Sequence, residues 1–152
     1  MIIEDIFERW CKMAGHQNLT PGTKFHSRCE ECIETTPAIR YHLDEERQLE
    51  AIDRHITCSS FSKNSPLVVN FSVGLMAYHS PLKGVVDVIR ACSAHENFHY
   101  HVGDYLRPKK KLPARGIRVL NSAEDSHEAY DEACSYVIGE AFERWREWHP
   151  RK

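Results

Sequence analysis

The chain has no apolar run long enough to cross a bilayer. Its longest, Leu67 to Tyr78, is broken by Asn70 and Ser72 and falls well short of the roughly 20 residues that a spanning helix needs. It also lacks a basic start. The opening MIIEDIFERW sets Glu4 and Asp5 where an export signal carries positive charge, and no apolar core or small-residue cleavage site follows. These two absences point to a cytoplasmic protein with no membrane segment. Repeats at solenoid periods and low-complexity tracts are missing too, apart from the lysine run at 109–111, which excludes arrays and long linkers. With 41 % hydrophobic and 28 % charged side chains, 152 residues suit one domain, 1–152, whose core needs no disulfides.

Cysteine is present but irregularly spaced, at Cys11, Cys29, Cys32, Cys58, Cys92 and Cys134. Without an export signal such residues read as thiols or metal ligands. A CxxC pair occurs only once. It sits in His26-Ser27-Arg28-Cys29-Glu30-Glu31-Cys32, which offers three ligands at three-residue steps within a loop spanning residues 16–37. His16 or Cys11 could supply a fourth, and ordinary thiols in a polar loop are the alternative. Glu30 and Glu31 do nothing to lower the thiol pKa values, so a structural zinc site fits better than a redox pair.

Acid is absent from residues 107–118. That stretch holds Arg107, Lys109, Lys110, Lys111, Arg115 and Arg118, while the whole chain carries −2, so attraction to phosphate or to an acidic protein rests on this local patch alone. A solvated loop is the plainer alternative.

One stretch names a chemistry. His95-Glu96-Asn97-Phe98-His99 has the HExxH spacing and is similar to zincin metalloproteins at the level of that motif, although Asn97 stands where the pattern usually has an apolar residue. On a helix it would make His95 and His99 zinc ligands and Glu96 the general base on a metal-bound water, with Glu124 or Glu128 as third protein ligand. The same spacing also suits two histidines packed in a helical core, because Val85, Val88, Cys92, His95, His99 and Val102 share one helical stripe.

Periodicity and capping predict helices over 2–14, 45–57, 80–101 and 122–149. The first carries Ile3, Ile6, Phe7, Trp10 and Met13, and the second carries Leu49, Ile52 and Ile56 behind Asp44. Ser80-Pro81 reads as the start of the third, and Ser122-Ala123-Glu124-Asp125 as a capping sequence for the last. Residues 67–78 suit either a strand or a buried helix, and helical neighbours favour the helix. The expected fold is therefore mainly α, a single compact domain of about five helices with a Cys/His-containing loop after the first.

The order Glu8-Arg9-Trp10, Asp44-Glu45-Glu46, Ile52-Asp53-Arg54, Val69-Asn70-Phe71-Ser72-Val73-Gly74-Leu75 and Glu132-Ala133-Cys134-Ser135-Tyr136-Val137-Ile138-Gly139 resembles that of small phage antitermination proteins of the Q type. The resemblance implies a helical regulator acting on RNA polymerase, with 112–121 as supporting helix and 122–133 as recognition helix. Here that recognition helix would present Glu124, Asp125, Glu128, Asp131 and Glu132, which repel DNA, so the contact falls to the basic loop or to a protein partner. The expectation is a small non-enzymatic regulator that binds nucleic acid or a host protein complex, including RNA polymerase. The alternative is a minimal zinc hydrolase.

Overall fold

The computed structural model describes residues 26, 29–35, 38–62, 64–93, 97–110 and 114–150. Their architecture is an antiparallel sheet with helices only at its C-terminal end. Seven strands precede them: β1 Cys32–Glu34, β2 Ile39–Asp44, β3 Leu49–Cys58, β4 Leu67–His79, β5 Gly84–Cys92, β6 Asn97–Val102 and β7 Arg115–Val119. The order across the sheet is β1-β3-β4-β5-β6-β7, with β2 also pairing with β3, so each long strand lies beside its neighbour in sequence.

The mainly helical expectation is overturned. Residues 45–57 form a turn and most of β3, residues 67–78 lie in β4, and residues 80–101 contain β5 and part of β6. The physical reason is that β4 and much of β3 and β5 are buried on both faces. A strand covered on both sides has no polar face, so its apolar residues fall at every spacing and the period of two disappears. Ser80-Pro81 opens a tight turn rather than a helix. Lys83 N–H donates to the Ser80 carbonyl at 3.1 Å, and Lys83 takes a positive φ of 53°. Proline suits the second position of such a turn as well as it suits the first turn of a helix.

The expected final helix exists, in two pieces. Ser122 caps α1 (Ala123–Cys134) by accepting the Asp125 backbone N–H at 3.1 Å. A single π-helical turn, Ser135–Gly139, links it to α2 (Ala141–Trp148), which ends at His149 ahead of Pro150. Within the helix expected over 112–121, Arg115–Val119 form β7 instead, so those residues are not the supporting helix of a helix-turn-helix. The helix expected over 2–14 lies outside the described residues.

The helices lie across the middle of the sheet. Ala129, Ala133, Val137, Ala141 and Trp148 pack with Phe71, Val73, Leu75, Ile89, Ala91 and Phe98 in one buried core. Small residues on the inner side of α1 let the helix approach closely, and Tyr130 meets Phe71 edge to face with ring centres 5.6 Å apart. Polar contacts fix its position. Tyr130 donates its hydroxyl to buried Asp53, which also receives His55 Nδ1 at 2.9 Å. His127 Nδ1 accepts the Val68 N–H at 3.0 Å, which pins the start of β4 to α1. No helix of the described residues is long and apolar enough to cross a membrane.

Candidate metal centre

Two neighbouring backbone pieces create the site. β1 pairs with the end of β3 in a register that sets Cys32 directly opposite Cys58. Residues 29–32 form a tight turn into β1, in which the Cys32 N–H donates to the Cys29 carbonyl at 3.1 Å. That turn carries Cys29 back over the Cys32–Cys58 pair. His26 precedes it, its ring edge-on to Phe61 with centroids 4.8 Å apart.

The outcome is a four-donor cluster. One ligand atom each from His26, Cys29, Cys32 and Cys58 lies within 4.8 Å of every other. The Cys29 sulfur is 3.9 Å from that of Cys32 and 3.6 Å from that of Cys58; His26 Nε2 is 3.2 Å from the Cys32 sulfur and 3.7 Å from the Cys29 sulfur. A tetrahedron with zinc–sulfur bonds of about 2.3 Å has sulfur–sulfur edges of about 3.8 Å. The donor set, three thiols and one imidazole, is that of structural zinc sites, so residues and spacing both fit the ion.

The local electrostatics of the metal-free cluster differ from donor to donor. Burial pushes the Cys32 thiol up to about 11. Cys58 feels the same burial but is drawn below the ordinary thiol range by the Ser60 hydroxyl and N–H and by the Cys29 and Cys32 thiols. Burial also lowers His26, keeping its imidazole in the neutral form that binds metal. Three thiolates this close would repel one another, and a divalent cation is the charge that would let all three lose their protons.

Of the ligands expected from sequence, His26, Cys29 and Cys32 come together as the spacing suggests. Cys58 was missed, because it is 26 residues from Cys32 in sequence and joins only through the pairing of β1 with β3. The alternatives for the fourth position, His16 and Cys11, lie outside the described residues.

The described part of the HExxH stretch, Asn97 to His99, is strand. His99 is buried on β6, where Nδ1 lies 2.9 Å from Asn97 Oδ1, and Asn97–Val102 is extended. The motif's chemistry needs a helix, and the part of it that the structure describes is extended. His95 and Glu96 lie outside the described residues. Glu124 and Glu128 are exposed on α1. Among the described residues, the His26 cluster is the one group of three or more such side chains close enough to hold an ion.

His99 belongs instead to a buried polar row on the sheet face opposite the helices. Cys92 and Arg90 on β5 pair with His99 and His101 on β6. The Arg90 guanidinium lies against Gly74, where an added Cβ would stand 3.3 Å from Cζ, and meets Asp87 at 2.7 Å. Burial raises the Asp87 carboxyl, and the guanidinium offsets this in part. The row locks three strands together with polar groups inside the fold.

Arg115 and Arg118 are exposed on β7, the last strand of the sheet, while Arg107, Lys109 and Lys110 are exposed in the connection that leads from β6 to it, and Lys111 lies outside the described residues. Two of the cations are occupied. Arg107 Nε donates to Asp104 at 2.9 Å and Arg118 donates to Glu132 at 2.8 Å, while Arg118 also lies over the Phe98 ring.

No family model matches this chain, and neither the curated proteins nor the solved structures contain a match.

Proposed function

We propose that this protein is a zinc-stapled binding protein, in which a structural Zn²⁺ held by His26, Cys29, Cys32 and Cys58 fixes one corner of the sheet, and the basic far edge contacts an anionic macromolecule. The carrying observation is the complete ligand set. Four protein donors fill a tetrahedral ion and leave no position for water or substrate, which is how structural sites differ from catalytic ones. The metal therefore serves the fold, and activity falls to surface contact. The exposed cations Lys109, Lys110 and Arg115 support the basic edge as that surface.

Elemental analysis of the purified protein tests the metal. One zinc per chain is expected, lost in Cys29→Ser/Cys32→Ser and in Cys58→Ser and kept in His99→Ala. Zinc that survives Cys58→Ser but leaves with His99→Ala would overturn the assignment. The contact is tested by binding to anionic polymers over a salt series. Affinity should fall as salt rises and fall further in Lys109→Ala/Lys110→Ala/Arg115→Ala; binding insensitive to both changes removes the basic edge from the account.

A further inference from the structure

β7 ends the sheet on the side away from the metal. It pairs with β6 and, among the described residues, with no strand on its outer side. All five of its residues are exposed, with Ile117 at 46 % and Val119 at 53 %. An outer row of backbone donors and acceptors beside apolar side chains is a template for one more strand.

Three occupants can be compared. A second copy added antiparallel to β7 would bring two exposed Arg115 side chains, which make no ion pair among the described residues, to the same edge, so like charge meets like. Five paired residues also cover far less than the roughly 1,200 Å² of a stable dimer. Duplex DNA would find Arg107 and Arg118 already paired with carboxylates and the acidic outer side of α1, including Glu132, beside β7. An extended acidic peptide meets neither obstacle. Its backbone can pair with β7, its apolar residues can cover Ile117 and Val119, and its carboxylates can approach Lys109, Lys110 and Arg115, which make no ion pair among the described residues.

We propose that the outer edge of β7 receives an extended acidic segment of a partner protein, added as a further strand beside Arg115–Val119 with its carboxylates against Arg115, Lys109 and Lys110. This rests on the reading that the basic edge makes the protein's contacts, and it adds the mode of contact and the partner's chemistry.

The test is fluorescence anisotropy on the full chain with three labelled probes: a peptide of alternating Val and Glu, the same peptide with alternate backbone nitrogens methylated, and a mixed-sequence DNA duplex. Saturable binding of the first peptide is expected, weakened at least about tenfold by methylation, which removes strand pairing and keeps the charges. The triple variant Lys109→Glu/Lys110→Glu/Arg115→Glu alters only exposed side chains and should abolish binding, with an unchanged circular dichroism spectrum as the check on folding. Equal binding of both peptides overturns strand addition, because charge alone then explains the contact. Binding of DNA without peptide overturns the proposal and leaves the basic-edge reading standing. Binding of neither, which is what cations that merely guard an exposed edge would give, removes both.

Discussion

The middle of the sheet and the corner where β1 meets the end of β3 bury quite different side chains. In the middle, Phe71, Val73, Leu75, Ile89 and Ala91 pack under α1 and α2, with Trp148 closing one end. At the corner, β1 is three residues long, Cys29 is exposed, Ile33 points out at 71 %, and the groups that converge are thiols and an imidazole. A segment this short removes too little apolar surface from water to offset the entropy of ordering it. Ligand bonds can supply there what apolar burial supplies in the middle, and a metal corner can therefore be lost without loss of the fold.

The predictions that separate the two regions run from large to small. Phe71→Ala should cost about 3–5 kcal/mol, since it opens a cavity in a wholly buried place between sheet and helix; urea unfolding would measure it, and the loss should be the same with and without metal. Tyr130→Phe should cost about 1–3 kcal/mol, because buried Asp53 loses one of its two side-chain donors while the ring still packs on Phe71. A loss well under 1 kcal/mol would show that water replaces the hydroxyl. Cys58→Ser should act locally instead. Amide exchange of residues 32–34 should quicken at least about tenfold while β4 keeps its protection, and equal loss in both places would mean that the corner and the core unfold together.

The smallest effect lies at the basic edge. Asp104 is held below the ordinary carboxylate range chiefly by the Arg107 side chain, with the Leu106 N–H adding to it. A lowered carboxyl stabilises the folded chain above the ordinary carboxylate range, and that contribution fades as pH falls through the lowered value. Arg107→Ala should move the Asp104 midpoint upward in a carboxyl NMR titration, with little change in overall stability because the pair is exposed.

Local signals were legible in the sequence where they depend on near neighbours. The Ser122 cap, the stop before Pro150 and the grouping of His26, Cys29 and Cys32 could all be read within a few residues. The strands could not. Leu49, Ile52 and Ile56 have helical spacing only because both faces of β3 are covered, which leaves two strand faces indistinguishable from one helical stripe. Cys58 was illegible for a topological reason, since nothing near it in the chain announces that β1 will lie alongside. HExxH carries its chemistry only on a helix, and the part of it that the structure describes, within Asn97–Val102, is extended.

The π-helical turn at Ser135–Gly139 has a consequence for how this chain can change length. Such a turn holds one residue more than an α-helix would place there. Deleting one residue between Ser135 and Gly139 would restore α-helical spacing within the turn, with the non-helical Glu140 still separating α1 from α2. It would also rotate everything downstream by about 100°. Ala141 and Trp148 would then swing off the sheet, and the acidic and basic side chains around Glu143 and Arg146 would swing toward it. The irregular turn thus acts as a phase-setter, and insertions or deletions in this chain should be tolerated in the loops and rejected in those five residues.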